Sequence, residues 1–347
     1  MKRPVVLVTG GLGYIGSHTV VELQQSGFDV IIFDNLSNSF IEVLDGIEKI
    51  TSVRPGFFKG DVTNKKDLEA LFDTYDAIES VIHFAALKAV GESVENPLKY
   101  YHNNVYGMMN LLQASIKHRV KNFVFSSSCT VYGQPRILPV DETAPIQPES
   151  PYGNTKWICE EMLRQVISSG VAMKAISLRY FNPIGAHPSA EIGELPQGVP
   201  NNLMPYLTQT ALGIRKELVV FGNNYNTADG TCIRDYIDIN DLSNAHVVAL
   251  AFLSNGSAKP YDVINLGTGL GVSVLEMIRA FEESCHVSIK FRIGDRRGGD
   301  VEKVWANADK ALQVLGWKTR ISLHETMKNA WYWERRFRNG ETAIKPL

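Results

Sequence analysis

The apolar positions of the chain alternate between continuous runs that suit buried strands and one-sided patterns that suit helices. Pro4 to Thr9 is continuous and rich in β-branched residues, as a strand buried on both faces requires. Thr19, Val20 and Leu23 then recur against Glu22, Gln24 and Gln25, which predicts an amphipathic helix ended by Gly27 in the C′ position. Asp29 to Phe33 reads as a second buried strand, and Gly56 to Phe58 as a short third one. Asn64 caps a predicted helix reaching about Phe72. Ser80 to His83 is a fourth strand. Pro97 to His118 predicts one long helix with Leu98, Tyr101, Val105, Met108, Leu111, Leu112 and Ser115 on its apolar face. Asn122 to Phe125 is the next strand. Trp157, Ile158, Met162, Leu163, Val166 and Ile167 mark a helix opened by Ser150-Pro151-Tyr152, and Met173 to Leu178 is a further strand.

Five βα-type units before residue 156 predict an α/β fold, a right-handed, Rossmann-like doubly wound parallel sheet. Residues 183–202 are rich in Gly and Pro and read as irregular. Later come a helix from Leu203 to Leu212, a strand from Leu218 to Phe221, and a turn-rich loop from Asn223 to Gly230. A capped helix from Asp238 to Leu253, a strand from Tyr261 to Leu266, and a helix capped by Ser273 and running through Cys285 follow. Two lobes are expected: residues 1–182, and a smaller mixed α/β lobe over 183–347, with part of 234–266 folding back onto the first. Trp331 and Trp333 sit in the last predicted helix, where packing is the expected role.

The first turn carries candidate chemistry. Gly10, Gly13 and Gly16 stand between strand and helix. Glycines there permit a tight turn and let the backbone approach a pyrophosphate, which the helix N-terminus attracts. Asp34, at the end of the next strand, is placed to accept hydrogen bonds from ribose hydroxyls and would repel a 2′-phosphate, so NAD is expected over NADP. Asp61 is placed to meet the adenine. Phe84-Ala85-Ala86 leaves room for a cofactor at a strand end, while His83 is expected to be a core-edge residue satisfied by backbone. Asn103 and Asn104 are poor interior helix formers, so one of them is expected to reach a ligand or a loop backbone. Ser126-Ser127-Ser128 ends a strand; its hydroxyls either converge on the site or form an ordinary polar loop. Tyr152 and Lys156 lie four residues apart on one helix face. A lysine ammonium there would lower the phenol pKa and let Tyr152 take a proton from an alcohol. Arg296-Arg297-Gly298-Gly299-Asp300 is either a solvated charge cluster or a phosphate clamp.

Composition narrows the partners. The 347 residues carry a formal net charge of -2, which offers no attraction to nucleic acid or an anionic membrane. No stretch approaches the ~18 apolar residues of a membrane span. The run Val5 to Val8 is too short for a signal-peptide core. Cys129, Cys159, Cys232 and Cys285 lie far apart and suggest neither a disulfide framework nor a zinc site. A cytoplasmic, soluble and metal-free protein is expected.

Taken together, Thr9-Gly10-Gly11-Leu12-Gly13-Tyr14-Ile15-Gly16, Ser126-Ser127-Ser128-Cys129-Thr130-Val131-Tyr132-Gly133 and Tyr152-x-x-x-Lys156 resemble the extended short-chain dehydrogenases/reductases. Within them the chain is similar, nearly end to end, to the UDP-glucose 4-epimerase family. The resemblance implies a retained NAD and UDP-sugar substrates. It implies Tyr152 as the base, Lys156 as holder of the nicotinamide ribose, and Ser128 as the hydroxyl that relays the proton. For the cofactor it brings in Tyr14, Ile15, Asp34, Asn35, Asp61, Val62, Phe84, Ala85, Lys88, Asn103 and Tyr180. Lys88 and Asn182 match positions near sugar and diphosphate, and Asn202 and Leu203 the segment closing over them. Val219 and Phe221 match the uracil pocket, Arg234 and Arg297 the diphosphate clamp, Asp300 the uridine ribose contact, and Tyr236 the same substrate side.

Two departures from the family pattern stand out: Gly298 follows Arg297 where Glu is usual, and Asn154-Thr155 replaces a commoner Lys-Ser pair. Val304 matches the wall beside the sugar 2-substituent. A small residue there implies acceptance of N-acetylated sugars, unless a one-residue slip puts Trp305 at the wall. A homodimer is implied through the helices that begin at Pro97 and Tyr152. The rival readings are a nucleotide-sugar dehydratase or decarboxylase on the same fold, and a non-catalytic NAD-sensing protein.

Overall fold

The computed structural model describes residues 3–255, 258–298 and 301–345. Seven parallel strands form its central sheet. Their spatial order is Gly56–Lys59, Asp29–Asp34, Val5–Thr9, Ile78–His83, Asn122–Ser126, Lys174–Tyr180 and Tyr261–Leu266. The register pairs Val8 with Ile32 on one side and Ile82 on the other. Chain order reverses at the Val5–Thr9 strand, so a crevice opens above the carboxyl ends of that strand and its Ile78–His83 neighbour.

The inner strands bury both faces, as continuous apolar runs require, while the edge strand Gly56–Lys59 is at most partly buried. Val6 and Val8 point toward the helices Tyr14–Gln25 and Ile239–Ser254, with Val20, Leu23, Leu242 and Leu250. Leu7 points the other way, toward Leu68, Leu111 and Leu163 on the helices Lys65–Thr74, Gly107–Lys117 and Pro151–Ser168. Tyr261–Leu266 adds to the sheet beside Lys174–Tyr180, with Leu266 opposite Tyr180. The helix Ile239–Ser254 is bound to the first helix by Asn244 donating to Glu22 at 2.7 Å.

A second core gathers Ile184, Met204, Leu207, Val220, Met277, Phe281 and Met327 among the helices Leu203–Ala211, Val274–Cys285 and Leu323–Arg338. Ser273 forms a full capping box with Glu276. Trp333 is buried and Trp331 stacks edge-on against Phe281, so both pack.

Several elements differ from the sequence expectation. The helix Val43–Thr51 has no side-chain cap to announce it, yet it buries Leu44 and Ile47. The run from Pro97 is not one regular helix: Tyr101–Tyr106 winds as a π-helix between Pro97–Tyr100 and Gly107–Lys117. The Gly- and Pro-rich segment holds a short strand, Asn182–Ile184, paired in parallel with Tyr236–Asp238. The strand Phe291–Gly294 pairs with Leu218–Phe221, and its exposure hid the usual apolar signal.

Candidate active site

The glycine turn is built for close approach. Gly10 has φ +69°, and a Cβ there would sit 2.8 Å from the Ala85 nitrogen. A Cβ on Gly16 would sit 2.2 Å from the Gly10 carbonyl oxygen. Gly13 caps the helix Tyr14–Gln25 without any side-chain bond, and the first-turn N–H groups of a helix, here from Tyr14 and Ile15 onward, have no carbonyl inside it. Such an end is an anion site. Asp34 is buried at the neighbouring strand end. Its Oδ2 accepts the Leu12 N–H at 3.1 Å, and its Oδ1 accepts Leu36 N–H and the Ser39 hydroxyl. The same carboxylate therefore ties the glycine turn to the second strand and keeps lone-pair capacity on Oδ2.

Next along the crevice, Asn35 donates to Asp61 at 2.8 Å, and Thr63 donates to Asp61 from both backbone and hydroxyl. Burial pushes the Asp61 carboxyl up, but the Thr63 and Asn35 bonds outweigh it and hold the group below its ordinary value. Val62 is buried against Gly107. Phe84 N–H bonds the Thr9 carbonyl, which fixes the Phe84–Ala85 loop over the turn. Tyr14 donates to the Gly185 carbonyl at 2.8 Å and so joins the turn to the segment after Asn182. His83 is satisfied by the Thr9 hydroxyl at 2.7 Å, not by backbone as the sequence suggested; burial lowers its pKa to about 3, so it stays neutral.

Tyr152 and Lys156 emerge from the first turns of the helix Pro151–Ser168, whose cap Ser150 accepts the Gly153 N–H. Both are buried. The Lys156 ammonium donates to the Ser126 carbonyl at 2.7 Å and lies 5.8 Å from the Tyr152 ring centroid. Burial brings Lys156 down to about 8 against the opposing pull of Cys159 and Glu160. The expectation of a lysine-lowered phenol is not met by the protein's own groups. Burial pushes Tyr152 well up, Tyr180 adds to it, and only a Ser128 hydrogen bond opposes.

The three serines have separate tasks. Ser126 meets the Tyr180 hydroxyl at 2.5 Å, Ser127 donates to Glu160, and Ser128 faces Tyr152 while accepting two bonds from Thr130. Asn104, not Asn103, reaches the loop backbone: it accepts from Leu87 N–H and donates to the Leu87 carbonyl and the Thr155 hydroxyl. Asn103 donates to Asn104.

On the other wall, Asn182 N–H bonds the Asp235 carbonyl. Lys88 pairs with Glu194 at 3.6 Å, and Asn202 donates to the same carboxylate at 2.5 Å. Leu203 opens the helix that Asn202 caps. Val219 and Phe221 share one strand, with the Arg297 guanidinium 5.5 Å from the Phe221 ring. Arg234 bonds the Ile233 carbonyl and lies opposite Val304 in register; Tyr236 is buried two residues on. Val304 packs with Phe181 and Val131, beside Cys129. Trp305 instead lies against Gly271. Asp300 lies outside the described residues. Among the described residues, no cluster of three or more His, Cys, Asp or Glu could hold a metal, and no helix is long and apolar enough to cross a membrane.

Comparison with known proteins bears on this arrangement. A family model described as GDP-mannose 4,6 dehydratase matches residues 7–330. UDP-glucose 4-epimerase of Dictyostelium discoideum is 49% identical over 335 residues, 96% of this chain and 97% of its own length. The Bacillus subtilis (strain 168) protein of the same name is 48% identical, covering 96% and 98%. The crystal structure of UDP-glucose-4-epimerase from Stenotrophomonas maltophila, with bound NAD and formylated UDP-arabinopyranose, superposes with TM-score 0.94 at 47% identity, covering 97% of this chain and all of that one.

The chain belongs to the UDP-glucose 4-epimerase family.

In this epimerase-family chain three carboxylates around the site escaped the sequence reading. Glu160 sits one helical turn beyond Lys156, a spacing that would have put it on the same buried face. Asp235 accepts from Thr268, Gly269 and Ala306 and so holds the strand bearing Val304. Glu194 lies in the Gly- and Pro-rich segment, where periodicity carries no signal.

Proposed function

We propose that this epimerase-family protein interconverts UDP-galactose and UDP-glucose at sugar carbon 4 through a 4-keto sugar, with NAD retained and regenerated in each turnover. The observation that carries the reading is the convergence of Tyr152, Ser128 and Lys156 beside an uncapped glycine turn. The residues fit NAD: the helix end suits a pyrophosphate, Asp34 keeps an acceptor for a ribose hydroxyl, and its charge repels a 2′-phosphate. Bound NAD supplies a hydride acceptor and donor and a positive charge beside the phenol. Lys156 holds the cofactor ribose. Tyr152 accepts the proton of the sugar 4-hydroxyl, aligned by Ser128, and returns it to the same oxygen after the keto sugar has turned over and presented its other face for reduction.

On the substrate side, Lys88, Arg234 and Arg297 supply positive charge for the diphosphate, and Val219 and Phe221 a slot for the uracil. A dehydratase would need a carboxylate pair after Ser128; Cys129-Thr130-Val131 stands there. A relative from Bifidobacterium longum is a UDP-glucose 4-epimerase in complex with NAD+ and UDP, which supports the reading.

Three finer readings belong with this one. Val304 is small and faces the Cys129 side, which supports UDP-GlcNAc and UDP-GalNAc as further substrates. Val94, Leu98 and Met109 stand exposed along the helical run before the catalytic helix, which supports a homodimer. The proposed substrates support a place in galactose metabolism, and the four free cysteines are in keeping with a cytoplasmic setting. To test the main reading, purified protein is mixed with UDP-galactose and UDP-glucose is followed by a coupled assay without added NAD. Turnover is expected; a Tyr152→Phe variant at full rate would refute the base.

A further inference from the structure

Glu160 and Arg179 form a buried ion pair beneath the catalytic groups, with side chains 1% and 4% exposed. Arg179 donates from Nε and Nη2 to both Glu160 oxygens, the shortest bond being 2.6 Å. Removing two charges from water costs about as much as their pairing returns, so such a pair adds little net stability. Its bonds instead run to the reacting groups. Ser127 donates its hydroxyl to Glu160. Ser127 lies between Ser126, whose carbonyl holds Lys156, and Ser128, whose hydroxyl meets Tyr152. Glu160 itself is on the helix that carries Tyr152 and Lys156.

The chain of bonds continues away from the helix. Arg179 donates to the Tyr132 hydroxyl at 2.9 Å, and Tyr132 donates to Asn265 at 2.7 Å. Asn265 donates to the Val140 carbonyl, which also accepts the Asn307 N–H; Val140 N–H bonds the Trp305 carbonyl. Every link is fully buried or backbone, and the last one is the neighbour of Val304.

We infer that Glu160 is a positioning residue: through Ser127 and Arg179 it locks the serine strand end onto the Tyr152 helix and fixes the Ser128–Tyr152–Lys156 geometry. The inference rests on the reading of those three as the reacting groups. A displaced serine strand end would misalign the sugar hydroxyl without loosening the distant diphosphate clamp, so the loss falls on kcat.

The test compares Glu160→Gln, Glu160→Asp and Ser127→Ala with the parent protein for kcat and KM with UDP-galactose, melting temperature and retained NAD per chain. Glu160→Gln is expected to lower kcat by about tenfold or more with KM nearly unchanged, and Glu160→Asp to recover part of it. Ser127→Ala keeps the ion pair and is expected to lower kcat by several-fold with melting and NAD content unchanged. It decides the matter if Glu160→Gln fails to fold. A folded, NAD-loaded Ser127→Ala at full kcat, or variants that raise KM alone, would overturn the inference. Failure of the reaction reading shows differently, as a fully active Tyr152→Phe.

Discussion

Lys156 is anchored on Ser126, whose carbonyl accepts its ammonium at 2.7 Å. The lysine is therefore held by a strand end and not by its helix partner Tyr152. Burial lowers it to about 8, so the ammonium dominates below that pH and is lost above it. In the proposed reaction the Lys156 ammonium holds the cofactor ribose, and losing its charge weakens that grip. We expect kcat to fall as pH rises through about 8, and the limb to vanish in Lys156→Arg, whose charge persists. An unchanged limb in that variant would remove Lys156 as its source. Tyr152→Phe should lower kcat by about 10²–10⁴, the usual worth of a positioned base.

Val304 lies opposite Arg234 in register and is buried with Phe181. Val304→Tyr adds a ring where a 2-substituent would lie. Turnover of the four UDP-sugars checks it: N-acetyl activity should drop by more than about tenfold, while UDP-galactose activity stays near the parent. A parent protein that leaves UDP-GlcNAc untouched would sink the proposal.

The central sheet was legible because its inner strands are buried on both faces and therefore largely apolar, as Val5 to Val8 and Val30 to Phe33 are. Turn chemistry marked Gly27, Asn64 and Ser273 for the same local reason: each satisfies a helix end. The helix Val43–Thr51 was not legible, since it starts without a cap and its Leu44 and Ile47 meet a surface that forms only in the fold. The π turn at Tyr101–Tyr106 is likewise tertiary: Asn104 is pulled to Leu87 and Thr155. Tyr152, Lys156 and the glycine turn carry local spacing and could be read. Their electrostatics could not, because burial and the Ser126 contact depend on strands distant in sequence. Glu194 meets Lys88 and Asn202 across more than a hundred residues in the first case.

Gly13 and Gly16 look equivalent in sequence but are not in space. A Cβ on Gly16 would strike the Gly10 oxygen at 2.2 Å, whereas one on Gly13 meets only that oxygen at 3.2 Å and otherwise points into the crevice. Gly16→Ala should destabilise the protein, read as a lower melting temperature. Gly13→Ala should fold nearly normally but retain less NAD, measured by release from denatured protein. Equal NAD content in Gly13→Ala and the parent would contradict the pyrophosphate assignment.

Leu98 is 82% exposed on the helical run that begins at Pro97. A charge there leaves the monomer core intact, because Leu98 buries almost nothing within one chain. The proposed homodimer predicts that Leu98→Glu shifts the protein toward monomer in light scattering with little change in secondary structure. A monomeric parent protein would reject the dimer outright.

Asp238 caps the helix Ile239–Ser254, accepts from Asn240 and Thr326, and is raised by burial to about 6. The folded state therefore holds its proton more tightly than the unfolded one. That contribution is fully present below about 3.8 and is lost as pH rises through about 6. The gap is worth about 3 kcal/mol at most, taking about 1.4 kcal/mol per unit. Asp238→Asn mimics the protonated acid and still offers an oxygen to the Asn240 N–H. Denaturant unfolding of parent and variant at about pH 4 and about pH 7 isolates this group, since the other titrating residues are common to both. The variant should lose this part of the pH dependence and gain stability relative to the parent near pH 7. Parallel stability curves for the two proteins would show that Asp238 is already charged throughout, held by its cap and Thr326 bonds against the cost of burial.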